Sequence, residues 1–146
     1  MLQWEKDKKA GKTMTDLERA REFFGNDKYA TDATGIVITE VGKRFARVEL
    51  DLDERHYNAI DAVMGGVYFT MCDFAFAIAS NFDSIPCVTL GTQAVFMNQN
   101  KGKHLICEAH CLKDGRQTCF YEVNVVDELG TEIARVTVEG YKIIGK

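Results

Sequence analysis

The chain reads as an α+β domain in which a curled antiparallel sheet of about six strands wraps around one long central helix, with a short N-terminal helix beside it. Three observations predict this. Residues 65–82 form an apolar run with a single charge, Asp73, near its middle. At ~100° per residue, Gly66, Thr70, Asp73, Ala77 and Ser80 share one narrow stripe, while Val67, Tyr68, Phe69, Met71, Phe74, Phe76 and Ile78 cover an arc of roughly 220°. A helix apolar over so much of its circumference needs protein on most sides. Strand-like alternation lies before and after the run, and 146 residues suit one core that buries roughly 68–70 % of the unfolded surface.

Residues 1–14 are polar and Lys-rich and read as a loosely docked leader, leaving 15–146 as the domain. Thr15-Asp16-Leu17-Glu18 has the capping-box form, which predicts a helix from Asp16 to about Phe24, stopped by Gly25-Asn26-Asp27. From about Ala33 the period becomes two, and Ile36–Val41 pairs with Ala46–Leu52 across Gly42-Lys43. Residues 53–63 are irregular and lead into the central helix. Pro86, the only proline, marks the exit into four strands, about Cys87–Asn98, Lys103–Lys113, Gln117–Val126 and Glu132–Ile143. Their joins carry turn residues at Lys101-Gly102, Asp114-Gly115 and Leu129-Gly130, so each strand is expected to lie antiparallel beside the next, the Asp-Gly pair turning through positive φ. No repeat or linker marks a second domain.

The composition excludes several classes. A net charge of −4 gives no general attraction to nucleic acid or anionic lipid. Asp73 at a bilayer centre would cost about 2.5–3.5 kcal/mol, and the nearby Asp61 and Asp83 give no basic anchor, so the apolar run is not a membrane span. Nothing reads as a secretory signal, and five cysteines within apolar segments read as buried free thiols of a reducing cytoplasm. His104, Cys107, His110 and Cys111 are metal-binding types, but on a strand the histidines point to one face and the cysteines to the other, so no metal is expected. Cys72 lacks an evident base, and neither a Gly-x-Ser-x-Gly elbow nor a phosphate loop is present.

The sequence His56-Tyr57-Asn58, then Met64-Gly65-Gly66, then Asp73 eight residues past Gly65, carries a family resemblance. It resembles the hotdog-fold acyl-CoA thioesterases of the phenylacetate-degradation (PaaI-like) type, whose pattern runs His-x-Asn, His-Gly-Gly, then an acid. The likeness extends from about Gly35 to Tyr141 and includes the Lys113-Asp-Gly-Arg116 turn and the Val88-Thr-Leu strand. It implies the hotdog fold, a Gly65 amide holding the thioester carbonyl, Asn58 as a second donor, Asp73 as nucleophile or base, and Thr89 as a hydroxyl orienting the attacking group. Coenzyme A enters as part of the substrate, with no separate cofactor. This sequence departs from the pattern at Met64, where a His is expected, at Asp61, where a Gly is common, and at Asn98-Gln99, where a proline is usual.

Spacing adds a test that does not depend on the family. Gly65 and Asp73 are eight residues apart, ~12 Å along a helix, whereas both an oxyanion donor and an attacking group must lie within about 3 Å of the reacting centre. Two copies with antiparallel central helices solve this, giving a homodimer with two equivalent sites that could pair further into a tetramer. His56, Met64, Gly66 and Thr70 are then candidates to line the ligand cleft, and Lys101, Lys103, Lys113 or Arg116 to meet coenzyme A phosphates. The apolar surroundings suit an aryl or medium-chain acyl group. The other reading is a non-catalytic acyl-CoA-binding protein, because Met64 can neither titrate nor donate.

Overall fold

The structure, a computed structural model, describes residues 13–145. The leader therefore lies almost wholly outside the described residues. Helix α1 spans Asp16–Phe24, and its capping box is complete: the Glu18 amide donates to Thr15 Oγ1 at 3.2 Å and the Thr15 amide donates to Glu18 Oε2 at 2.8 Å. A single π-helical turn, Tyr29–Thr34, follows and ends at Gly35 with φ of 88°. Strands β1 (Val37–Gly42) and β2 (Phe45–Asp51) form the first hairpin, and a 3-10 turn at Glu54–His56 leads towards helix α2, Gly65–Asn81. Strands β3 (Cys87–Phe96), β4 (His104–Asp114), β5 (Thr118–Asp127) and β6 (Glu132–Lys142) complete the chain.

The six strands form one antiparallel sheet in the order β1-β2-β4-β5-β6-β3, with α2 against its concave face. This corrects one expectation. Strands β3 and β4 are not neighbours, and Lys101-Gly102 is not a hairpin turn. From the edge beside β6 the chain crosses to enter β4 between β2 and β5. Asp127, 2 % exposed at the end of β5, anchors that crossing: its carboxylate accepts from the Lys101 and Gly102 amides at 2.8 Å each, and from the Leu129 and Thr131 amides at 3.0 and 2.9 Å. A carboxylate here organises two loops that no local turn signal connects. The β4–β5 and β5–β6 hairpins are as expected in place, but the first closes without positive φ at Asp114 or Gly115, through a Gly115 amide donated to the Thr118 carbonyl at 2.8 Å.

Alternation decides which side chains reach the core. Ala46, Val48 and Leu50 of β2, Leu105, Cys107 and Ala109 of β4, Tyr121, Val123 and Val125 of β5, and Val136 and Val138 of β6 are buried against Tyr68, Met71, Phe74, Phe76 and Ile78 of α2. Burying side chains of this size contributes roughly 1.5–3 kcal/mol each, which is why α2 tolerates so little polarity. Gly140 permits the closest approach. A Cβ there would stand 2.6 Å from both Cys87 Sγ and Cys119 Sγ and 2.8 Å from Phe76 Cζ.

The open face of α2 differs slightly from the predicted stripe. Ser80 is buried, while Phe69 joins Met64, Gly66 and Asp73 on the exposed side. Strand β3 is open too: Val88, Leu90, Val95 and Phe96 are each about half exposed, and none of the strand's ten residues is charged.

Candidate active site

The site is built from the loop before α2. His56 is 2 % exposed; its Nδ1 accepts from the Asp53 amide at 2.9 Å and its Nε2 lies 2.7 Å from the Thr34 carbonyl, which assigns the proton to Nε2. Both ring nitrogens are thus engaged inside the chain, and the residue's role in this fold is to tie the loop to the π-helical turn. Its backbone carbonyl accepts from the Met64 amide at 2.9 Å, setting the start of α2.

Between them, residues 57–63 close a tight excursion. Tyr57 bridges Val63, and Asn58 Oδ1 accepts from the Ile60 and Ala62 amides at 3.0 and 3.1 Å. With its oxygen occupied, the Asn58 side chain has only its amide hydrogens to offer, and these have no partner among the described residues. Asp61 adopts φ of 58°, the left-handed region where glycine is least strained. A glycine at this position would hold the same backbone conformation without that strain.

Met64 caps α2 without a side-chain hydrogen bond and is 59 % exposed. The amides of Gly65 and Gly66 open the helix, where intrahelical acceptors do not exist and the dipole favours negative charge. A Cβ on Gly66 would meet nothing within 4 Å, and one on Gly65 would touch the Phe96 ring at 3.4 Å. Thr70 turns inward on its own helix, its hydroxyl donating to the Gly66 carbonyl at 2.7 Å.

Asp73 stands on the same open face. It is exposed in the single chain, yet enough protein surrounds the carboxyl that burial pushes its pKa up, while the Thr89 hydroxyl, facing it from β3, pulls the pKa down. Thr89 reaches this position because it shares its sheet face with Gly140, its partner on β6, and so points towards the helix. A cavity of about 320 Å³ opens beside Asp73, walled by Thr70, Phe74 and Ala77 of α2 and by residues 27–30. Asp27 in that wall was not legible as a site residue. In the sequence it belongs to the stop signal of α1, and only the packing of the π-helical turn brings it to Asp73. Its pKa is raised by burial and then by the Asp73 charge.

The four basic candidates fall into two groups. Lys101 and Lys103 lie before β4, whereas Lys113 and Arg116 lie at its far end, roughly 30 Å away along an extended strand. One chain does not gather them at one ligand. None of them forms an ion pair among the described residues. The metal-type residues of β4 divide as their parity predicts: His104 bridges Asp51 at 2.7 Å and Glu49 at 2.6 Å, His110 reaches Glu108 at 3.1 Å, and Cys107 is buried beside Cys72. The carboxylate partners raise the His104 pKa, Asp51 more than Glu49. Among the described residues no helix is long and apolar enough to cross a membrane.

Comparison with known proteins gives this geometry a family. The model of the thioesterase superfamily matches residues 61–134. The acyl-coenzyme A thioesterase PaaI of Escherichia coli K12 is 26 % identical over 129 residues, 88 % of this chain and 91 % of that protein. Human acyl-coenzyme A thioesterase 13 is 26 % identical over 120 residues, 80 % of this chain and 79 % of that one. The solved E. coli PaaI structure superposes with a TM-score of 0.77 at 23 % identity, covering 89 % of this chain and 98 % of its own. A hypothetical thioesterase protein of Streptococcus pneumoniae TIGR4, solved with coenzyme A, gives 0.76 at 20 % identity over 84 % of this chain and 95 % of its own. The matched segment runs from Asp61 through α2 to β6, and with it the chain belongs to the thioesterase superfamily and shares the hotdog fold of its PaaI-type members.

Proposed function

We propose that this protein hydrolyses an acyl-CoA thioester, with an aryl or medium-chain acyl group, at two equivalent sites shared between two copies of the chain. The observation that carries the reading is the single acid of an otherwise apolar helix, Asp73, lying on the same open face as the free Gly65 and Gly66 amides. The ~12 Å between them along α2 excludes one carbonyl being served by both in one chain. An antiparallel partner helix brings Asp73 of one copy to Gly65 of the other, and the uncharged open edge of β3 gives the second copy a strand to pair with.

In this mechanism Asp73 accepts a proton from water while the water oxygen attacks the thioester carbon. The Gly65 amide and the Asn58 side-chain amide hold the oxyanion that develops on the carbonyl oxygen. Collapse breaks the carbon–sulfur bond, the proton returns from Asp73 to the thiolate, and the acid and coenzyme A leave. Thr89 orients the attacking water and favours the charged carboxylate. Lys101 and Lys103, or Lys113 and Arg116, meet the coenzyme A phosphates, and the free thiols fit a reducing cytoplasm.

Met64 supports a second reading, an acyl-CoA-binding protein that does not hydrolyse, since a thioether at the helix cap cannot orient or protonate anything. Thiol release from a panel of acyl-CoAs, measured for wild type and Asp73→Asn, separates the two. Turnover lost in the variant with binding retained supports hydrolysis. Tight binding without wild-type turnover on any member of the panel favours the binder.

A further inference from the structure

We propose, building on the thioesterase reading above, that Asn81 is a positioning residue for the reaction: it pins the start of β3 to the end of α2 and so holds the Thr89 hydroxyl at the Asp73 carboxylate.

The carboxamide of Asn81, the last residue of α2, bonds in both directions with one residue of β3. The Cys87 amide donates to Asn81 Oδ1 at 2.7 Å, and Asn81 Nδ2 donates back to the Cys87 carbonyl at 3.2 Å. Nδ2 also donates to the Ala77 carbonyl of its own helix at 2.8 Å, which fixes the side chain on the last turn. Among the described residues, the two bonds to Cys87 are the hydrogen bonds that join α2 to the backbone of β3. A planar amide that serves a donor and an acceptor of the same residue sets both distance and direction.

The path from this clamp to the chemistry is short. Cys87 and Thr89 are two residues apart, ~7 Å along a strand, and share one sheet face, on which Cys87 is buried. Asp73 lies eight residues before Asn81, ~12 Å back along α2. Residues 82–86 therefore turn the chain so that β3 runs back towards Asp73, and the Asn81 bonds close the corner. There the Thr89 hydroxyl favours the charged Asp73 carboxylate.

Strand β3 needs this anchor. It is an edge strand, and just past Thr89 its pairing with β6 slips: Thr89 pairs with Gly140 and Gly91 with Glu139, leaving Leu90 as a bulge. The ladder beyond the bulge does not set the register of Cys87–Thr89, which depends on its own end. At that end the Ile143 amide donates to the Pro86 carbonyl at 2.7 Å on the β6 side, and Asn81 holds the α2 side. The titratable groups that wall the cavity with Asp73 are Asp27, Lys28 and Tyr29, and the hydrogen bonds of Asn81 reach none of them. Loss of the Asn81 side chain therefore acts on Asp73 through Thr89.

In Asn81→Ala the acid limb of kcat/KM should rise by about half a pH unit or more, as in Thr89→Ala, and kcat should fall about tenfold while KM stays within about twofold of wild type. In the double variant the limb should coincide with that of Thr89→Ala alone, because the clamp then has nothing left to position. A merely structural role would lower Tm without moving the limb. A limb unmoved in folded Asn81→Ala, or shifts that add in the double variant, overturns the proposal. Where Asn81→Ala does not fold, Asn81→Ser carries the same expectations: its hydroxyl can bond the Ala77 carbonyl as Thr70 bonds that of Gly66, but it is too short to span to Cys87. Loss of folding in both variants overturns the proposal in favour of a structural role. If wild type turns over no acyl-CoA, hydrolysis fails instead, and the Asp73 carboxyl titration followed by carbon NMR in the same proteins decides the role of Asn81. A midpoint raised in Asn81→Ala to that of Thr89→Ala supports it, and an unchanged midpoint overturns it.

Discussion

Thr89, on the edge strand β3, and Asp73, in the middle of α2, face each other, so the acid of the central helix is tuned by the strand least covered by the rest of the chain. Burial raises the Asp73 pKa and Thr89 opposes it. Because the charged carboxylate is the working form, activity should be present above its folded pKa and lost as the pH falls through it. The acid limb of kcat/KM should lie above the 3.8 of an ordinary aspartate, and Thr89→Ala should move it higher. A limb at or below 3.8, or one unmoved by Thr89→Ala, would contradict this pairing.

Phe69, 38 % exposed on α2, and Leu90, 60 % exposed on β3, lie where a second copy is expected. Phe69→Glu or Leu90→Asp should give monomers by light scattering and reduce turnover by roughly a hundredfold or more, since each site would lose its oxyanion donor. A fully active monomer would rule out the shared site.

Met64 occupies the helix cap with a side chain that makes no hydrogen bond there. Met64→His should raise kcat by about tenfold or more by supplying a donor beside the carbonyl site. Unchanged or lower kcat would show that this site does not use an imidazole.

Asp127 is buried and receives four backbone amides. Burial alone would raise its pKa, but donation from Gly102, Thr131 and Lys101 outweighs it and holds the carboxyl well below the usual range. Its contribution to stability is therefore present above 3.8, the ordinary value, and is lost as the pH falls below that towards the folded pKa. Asp127→Ala should cost ~3 kcal/mol in urea unfolding at pH 7, with the difference from wild type shrinking below pH ~4.

At Gly140, where an added methyl would meet two sulfurs and a ring edge, Ala should cost ~2 kcal/mol by the same measurement. A cost near zero would mean that β6 can move away from α2 without loss.

Much of this fold was written in local pattern. The capping box, the apolar run and the strand alternation fix α1, α2 and the faces of the strands because each is decided by neighbours in sequence. The order of the strands was not, because Lys101-Gly102 looks like any turn and the carboxylate that redirects it lies more than twenty residues away. The site shows the same division. Gly65 and Asp73 stand out as free amides and a lone acid, whereas Asp27 is ordinary helix-stop chemistry until folding lays it beside Asp73. His56 shows the limit of a motif, since the residue that looks most reactive has both nitrogens engaged by the backbone.

The position of β3 in the sheet also sets an order of assembly during synthesis. Its one neighbour among the described residues, β6, follows β4 and β5 in sequence, so β3 must wait while those two form their hairpin, and until then Thr89 has no scaffold. Long-range pairings of this kind form late and leave apolar strands uncovered in the meantime. Losing β6 would therefore remove more than one strand: it would release the strand that completes the acid's surroundings, and a nascent chain acquires its chemistry only once β6 has been made.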